Sequence, residues 1–377
     1  MTAIDSDAAR RVALGDGIAM PLADGWTLPA RWYSDPDVLR LERDRIFASS
    51  WGYVGHVDLV ATSGSFFASQ VGHVPIVIVR DDEDTVRGFV NVCRHRGHIV
   101  ARGSGCRTTL QCPYHAWTYG LDGSLRRAPR SEREPGFDAD AFSLLPISVE
   151  TWGPFLFANP DPDAGPLAET IDGIPELVGS SGVDLSSLRL RQRVEWEMPA
   201  NWKNAIENYL ECYHCPTAHP SLSKVVDVDV DSYRLVEREH SSSQFGSIRP
   251  SVYAEGANVA YVPRGEVDGA QYHFIWPNTT VNIEAGRTNL SMDVTFPTAP
   301  GRSKGWTDYY YGADVSDEEA SELMAFASQV SFEDQSLVES VQEGLDSGMV
   351  PQGRLLLSSE KLLHHFQRRI HAALVTP

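Results

Sequence analysis

Two thiols and two imidazoles fall in two short clusters. Cys93 and His95 stand with one residue between them in NVCRHRGH; after 16 more residues, Cys112 and His115 stand with two between them in QCPYHAW. A tetrahedral set of two thiolates and two imidazoles can hold zinc or an iron-sulfur cluster. Spacing separates the two, because a zinc site usually pairs Cys with Cys and His with His, whereas here each loop supplies one of each. A two-iron cluster with Cys on one iron and His on the other needs two mixed loops facing each other. Cys106 lies between the loops, fits no ligand position and is expected to be a small buried hydrophobe.

A second set lies downstream. Glu207, Glu211, His214 and Cys215 fall at i, i+4, i+7 and i+8, so they share one face of a helix expected over NWKNAIENYLECYHC and stopping near Pro216. A break there lets the chain turn His219 back toward His214. An Fe(II) triad takes two His and one carboxylate and leaves positions open for O2, so the acid must come from elsewhere. Asp334 is in helical register with Phe326, Val330, Leu337, Val338 and Val341. A buried unpaired charge on such a stripe costs several kcal/mol, which a metal ion would offset. Glu333 and Glu339 are in register with polar residues and are expected to be solvated.

With these residues in view, a family resemblance can be stated. Cys93-Arg94-His95-Arg96-Gly97 and Cys112-Pro113-Tyr114-His115-Ala116-Trp117 closely resemble the paired loops of the Rieske family. With the second set added, the chain is similar to the α-type subunit of Rieske ring-hydroxylating oxygenases from about residue 30 to its C-terminus. The resemblance implies a [2Fe-2S] cluster on Cys93, His95, Cys112 and His115. The family's acid-x2-His-x4-His motif and its later EDQSLVESVQ-like pattern imply mononuclear Fe(II) on His214, His219 and Asp334. Glu211 occupies the position of the acid that, in the family, bridges to a Rieske His of the neighbouring subunit in a trimer. Most of the family has Asp there. Glu211-Cys212-Tyr213-His214-Cys215 is instead similar to the branch that oxidises quaternary ammonium compounds such as carnitine, glycine betaine and stachydrine.

The resemblance further implies a terminal oxygenase that hydroxylates or N-demethylates a small betaine-type substrate with O2. Electrons would come from a separate reductase, with or without a ferredoxin. No Gly-rich dinucleotide fingerprint follows a strand in this chain, so NAD(P)H and flavin belong on that partner. Tyr209, Phe274, Trp276 and the run from Trp306 to Tyr311 could cage a trimethylammonium group. The alternative substrate is an aromatic ring or aromatic acid in an apolar pocket. Two readings from other classes are a Rieske electron carrier, which needs no Fe(II) triad, and a zinc-stabilised binding module.

The elements that must position these groups follow from periodicity. A helix is expected around residues 35–48. Short β-like runs at 74–80, 87–93, 108–112 and 155–160, separated by Gly and Asp-Gly turn signals, then suggest a small antiparallel domain. Residues 161–188 have the Pro, Gly, Asp and Ser content of a linker or long surface loop. Beyond them come alternating runs, a long helix opened by Ser316 and a closing helix over 358–374, with no βαβ rhythm. The expected fold class is α+β: a small antiparallel Rieske domain, then an α+β domain that the resemblance makes a helix-grip catalytic domain. The expected boundaries are 1–44 for an N-terminal segment packing on the catalytic domain, 45–160 for the first domain and 161–377 for the second.

Composition narrows the remaining classes. A net charge of -19 argues against a nucleic-acid partner, which needs clustered Lys and Arg. No apolar run is long enough to span a bilayer and MTAIDSDAARR lacks the apolar core of a secretion signal, so a cytoplasmic protein is expected. Five cysteines in 377 residues are too sparse for a disulfide framework and point to metal ligation.

Overall fold

The computed structural model describes residues 20–375. Residues 1–19 of the expected N-terminal segment lie outside the described residues. The chain divides into two compact units, one of Phe47–Leu167 and one combining the chain up to Ile46 with Ala168–Pro377. The division after Leu167 falls seven residues later than the expected 160/161 boundary because residues 161–167 are tied to the small unit. Trp51 Nε1 donates to Gly165 O at 2.9 Å and Leu167 N to Glu150 at 3.2 Å.

In the small unit, β1 (Gly52–His56), β2 (Ser65–Val71), β3 (Val74–Arg80), β4 (Val86–Val90), β5 (Ser104–Cys106), β9 (Pro146–Trp152) and β10 (Phe155–Asn159) form an antiparallel sheet. Their order is β1-β10-β9-β4-β3-β2-β5. A second sheet of β6 (Leu110–Gln111), β7 (Thr118–Tyr119) and β8 (Leu125–Arg127) rises from the long excursion between β4 and β9. The apolar residues of VPIVIVR that drive β3 are Ile76, Val77, Ile78 and Val79, all buried. Cys106, expected to be buried, is exposed, since it lies on the edge strand β5.

In the large unit, β11 (Leu188–Met198), β12 (Arg234–Glu237), β13 (Ser241–Ser247), β14 (Gly269–Ile275), β15 (Thr279–Ile283), β16 (Asn289–Ala299) and β17 (Arg302–Gly312) form one antiparallel sheet, ordered β11-β17-β16-β15-β14-β13-β12. Helix α1 (Pro36–Arg45) starts at Asp35, whose side chain accepts from Asp37 N. Two short helices, α2 (Leu167–Thr170) and α3 (Ile174–Gly179), occupy the stretch read as a linker. Helix α4 (Trp202–Tyr209) is anchored to α1 by a buried pair in which Lys203 Nζ donates to Glu42 at 2.5 Å, while Trp202 Nε1 donates to the other oxygen at 2.8 Å. Short helices α5 (Cys215–Ala218) and α6 (Pro220–Val225) follow. The long helix α7 (Asp317–Asp346) is capped by Ser316 in a reciprocal box with Glu319, and α8 (Lys361–Val375) closes the chain.

Sheet register puts alternate side chains on one face. Gln244, Tyr272, Asn282, Ser291 and Tyr309 are successive cross-strand partners over β13, β14, β15, β16 and β17. That row lines a cavity of about 440 Å3, to which α4 contributes Tyr209 and α7 contributes Leu323, Phe326 and Asp334.

Candidate metal centres

The two loops of the small unit repeat one hydrogen-bond pattern. Cys93 N donates to His98 O at 2.8 Å and Gly97 N to Cys93 O at 3.0 Å; Cys112 N donates to Trp117 O at 2.8 Å and Ala116 N to Cys112 O at 3.0 Å. Each turn closes on a left-handed residue, Gly97 at φ +73° and Ala116 at φ +57°. Alanine bears a steric cost there that glycine does not.

This folding brings the four residues together. Cys93 and Cys112 are buried, neither is in a disulfide, and their thiols interact; the His95 and His115 rings lie 4.7 Å apart between centroids. Burial pushes the Cys112 thiol up, as does its Cys93 neighbour, against donation from the Tyr114 and His115 amides. Arg94 N donates to Tyr119 Oη at 3.0 Å, leaving the phenol hydrogen for Cys93 Sγ at 3.3 Å. His95 stacks on Trp117 and is held below its ordinary value by burial, then by His115 and Arg96. Two adjacent unbonded buried thiols beside two imidazoles fit the donor needs of a Rieske cluster.

In the large unit the expected helix ends earlier than its sequence suggests. It stops at Tyr209, and Leu210 N caps it on Ile206 O and Glu207 O. Glu207 therefore does not share a face with His214: it accepts from Tyr33 Oη at 2.6 Å and Gln367 Nε2 at 3.0 Å, and burial raises its carboxyl to about 7. Pro216 sits in the first turn of α5 rather than at the end of a long helix. Cys212 and Cys215 are joined by a disulfide, so a local pair exists where composition argued against a framework.

His214 precedes α5 and His219 stands between α5 and α6. Their Nε2 atoms are 3.0 Å apart; Asp334 Oδ1, reaching in from α7, is 3.0 Å from His219 Nε2 and 3.4 Å from His214 Nε2. Cys215 Sγ is 4.0 Å from His214 Nε2 and could complete the cluster by proximity, but that sulfur is bonded to Cys212. The carboxylate is the available third donor.

Each imidazole presents its other nitrogen to an acid. His214 Nδ1 donates to Glu211 Oε1, and Glu211 Oε2 accepts from Tyr213 N at 2.5 Å and His214 N at 3.2 Å. His219 Nδ1 donates to Glu333 Oε2 at 2.9 Å. Glu333 is thus a partner of the site rather than the solvated acid its register suggested. A carboxylate behind each histidine fixes which nitrogen faces inward, the arrangement that orients metal-bound imidazoles. Burial lowers His214, but Asp334 and Glu211 outweigh it and raise the ring to about 9; His219 is raised by the balance of burial against Asp334 and Glu333. Burial lifts the Asp334 carboxyl, yet the two imidazoles hold it below its ordinary range. Two imidazole nitrogens and one carboxylate oxygen converging in this way are the donors a divalent cation takes.

The apolar stripe argued for Asp334 is only half buried. Phe326 and Val338 pack inward, but Leu337 is 37% and Val341 52% exposed. Asp334 faces the cavity because α7 packs against α4 and α6, with Leu323 and Phe326 clustered with Tyr309 and Tyr311 of the sheet, which periodicity alone does not encode. Of the expected aromatic cage, Tyr209, Tyr309, Tyr310 and Tyr311 line the cavity, whereas Phe274 and Trp276 pack on Phe366 and Trp306 on Phe296. Tyr233, Tyr272 and Glu284 line it unforeseen. Part of their signal lies in Thr280, Asn282 and Glu284, polar residues at every second position through β15 and just beyond it, between the buried Val281 and Ile283.

Residues 50–148 match the Rieske [2Fe-2S] domain and residues 185–375 the ring hydroxylating alpha subunit catalytic domain. The chain is 33% identical over 343 residues to the carnitine monooxygenase oxygenase subunit of Escherichia coli K12, covering 89% of each protein. It is 32% identical to the chloroplastic choline monooxygenase of Amaranthus tricolor, covering 94% of this chain and 79% of that protein. A solved quaternary ammonium Rieske monooxygenase, described as giving insight into carnitine oxidation by gut microbiota and inter-subunit electron transfer, superposes with a TM-score of 0.79 at 30% identity over 94% of this chain and 98% of that one.

Proposed function

Because the chain belongs to the Rieske ring-hydroxylating oxygenase α-subunit family, we propose that its substrate is a small quaternary ammonium compound, hydroxylated or N-demethylated at the cavity of the large unit. The protein is a terminal oxygenase that incorporates O2, with a [2Fe-2S] cluster and a mononuclear iron as cofactors. Electrons reach it from a separate partner, on which the nicotinamide and flavin reside. We assign the cluster to Cys93, His95, Cys112 and His115 and the mononuclear iron to His214, His219 and Asp334, on the donor geometry described above. When bound, the cluster supplies single electrons and the iron supplies the site of O2 reduction. The chain's own residues orient the imidazoles, bury the two thiols and shape the cavity.

The observation that carries the substrate class is the cavity lining. It combines tyrosines with acids beside His214, His219 and Asp334, and no Lys or Arg is among the described residues lining it. Aromatic faces and negative charge attract an organic cation. An aromatic carboxylate, the alternative substrate, would bring a buried negative charge that no Lys or Arg among the described lining residues meets.

Glu211 is assigned as the electron-transfer bridge between subunits of a homotrimer. It already holds His214 Nδ1, and the exposed His115 of a neighbouring copy is a suitable second partner for its carboxylate. Among the described residues no helix is long and apolar enough to cross a membrane, and we place the protein in the cytoplasm. The test is NAD(P)H-dependent O2 uptake by the oxygenase with its reductase, read with product analysis, on quaternary ammonium compounds against aromatic acids. Stoichiometric turnover of the acids alone would reject the substrate class.

A further inference from the structure

The cavity acids differ in how their charge is met. Glu211 and Asp334 face histidines. Asp293 accepts from Thr280 at 3.0 Å, from Asn282 at 2.7 Å and from Thr307. Glu197 is exposed, on the edge strand β11. Glu284, just past β15, has among the described residues only a neutral hydrogen-bond partner for its carboxylate, Tyr272 Oη at 3.2 Å. Its residual exposure is to the cavity it lines, and burial raises its carboxyl to about 7. The groups that feel its charge are Tyr272 on β14, Tyr233 before β12, Tyr261 before β14, Tyr209 on α4, and Tyr309 and Tyr311 on β17. All are phenols pushed up by burial, so none supplies a counter-charge. A carboxylate that lines a cavity together with Tyr209, Tyr233, Tyr272, Tyr309 and Tyr311, and that has no Lys or Arg among the described lining residues, is a receptor for a desolvated organic cation.

A second group in the same row is also incomplete. Gln244, paired across the strands with Tyr272, donates from Nε2 to Tyr209 O at 2.6 Å, which fixes its amide orientation. Its buried Oε1, lining the cavity, has no donor. An orphan carbonyl oxygen accepts from a hydroxyl and repels a carboxylate.

We propose that Glu284 is the counter-charge for the substrate's cationic head and that, with Gln244, it selects a quaternary ammonium alcohol over one bearing a carboxylate. This rests on the quaternary-ammonium reading above. No Lys or Arg stands among the described lining residues to compensate a substrate carboxylate.

Calorimetric binding to the holoenzyme tests it with four probes: tetramethylammonium, choline, carnitine and the uncharged choline isostere 3,3-dimethylbutan-1-ol. The wild type should bind choline about 100-fold more tightly than the isostere and at least about 10-fold more tightly than carnitine. Glu284→Gln, which keeps a partner for Tyr272 and removes a buried charge, should weaken choline and tetramethylammonium by about 100-fold and leave the isostere unchanged. Gln244→Leu should weaken choline by about 10-fold but leave tetramethylammonium unchanged, as loss of one hydroxyl contact requires. Unaltered cation binding in Glu284→Gln, with choline still turned over by the wild type, overturns the role of Glu284 and leaves the substrate class standing. Carnitine bound as tightly as choline overturns the selection for an alcohol. Failure of the wild type to bind any of the three cations rejects the substrate class itself, and the proposal with it.

Discussion

In the small unit all four donors lie between Cys93 and His115, in two turns with the same backbone pattern, and the imidazoles stand at the surface beside aromatic rings and Arg96. In the large unit three donors come from a loop, a junction between two short helices and a helix more than a hundred residues away, and each imidazole is backed by a carboxylate. The surroundings push His95 down and His214 up to about 9. One set therefore disfavours positive charge on His95 and keeps its thiols covered. The other gathers negative charge around its rings and needs a cation to balance it. Adjacent turns suffice for a cluster that is only an electron carrier, whereas a site that must stay open to substrate is assembled at the wall of a cavity.

The contrast is broken most completely by removing donors. Cys112→Ser should abolish the visible absorbance and the EPR signal of the reduced cluster, while His219→Ala should leave both and lose mononuclear iron and turnover. Metal analysis with EPR checks both variants, and bleaching of the cluster by His219→Ala would contradict the division of ligands. Glu211→Gln should keep most of both metals and reduce normally at the cluster, yet transfer the electron to the iron site roughly 100-fold more slowly, the upper end for loss of a carboxylate behind a metal-bound histidine. Single-turnover reoxidation of the pre-reduced cluster measures this, and an unchanged rate removes Glu211 from the path.

Glu333→Gln sharpens the comparison, because no acid backs either histidine of the small unit in this way. Iron affinity should fall about 10-fold, with the cluster spectrum untouched. Retention of wild-type affinity by competitive chelation would show that His219 needs no oriented partner.

The acidic character of the cavity gives a pH signature. The free Glu284 carboxyl, raised to about 7, is ionised above that value and protonated below it. Cation binding favours the ionised form, so KM for a quaternary ammonium substrate should be flat above about pH 7 and rise by up to about 10-fold per unit as pH falls below it. Glu284→Gln should remove the dependence; a KM that falls toward acid has the wrong sign.

The smallest effect concerns the paired turns. No neighbour lies within 4 Å of where a Gly97 Cβ would sit, so Gly97→Ala meets only the left-handed φ. It should cost about 1 kcal/mol in thermal denaturation of the small unit, and Ala116→Gly should be neutral or slightly stabilising.

Much of this was legible before folding, and unevenly so. The Rieske-type loops could be read whole because ligand spacing and turn closure are local. Helical register sets Asp334 on an apolar stripe, although two residues of that stripe face outward and the neighbouring Glu333, expected to be solvated, accepts from His219. Glu207 was assigned to the wrong surroundings because residues 202–215 read as one helix, whereas the chain leaves the helix at Tyr209.

The donor inventory, the turns that close on Gly97 and Ala116, the cap of the long helix and the alternation that makes strands of the second half can all be read along the chain. Those features depend on residues within a few positions of one another. Packing alone brings Asp334 to His214 and His219, sets Glu333 behind one of them, and places Glu284 in a cavity lined by tyrosines from separate strands and a helix, with no Lys or Arg among the described lining residues. These contacts are fixed by strand order, register and the packing of a long helix against the sheet. A buried charge acquires its meaning from the partners that packing brings to it or withholds.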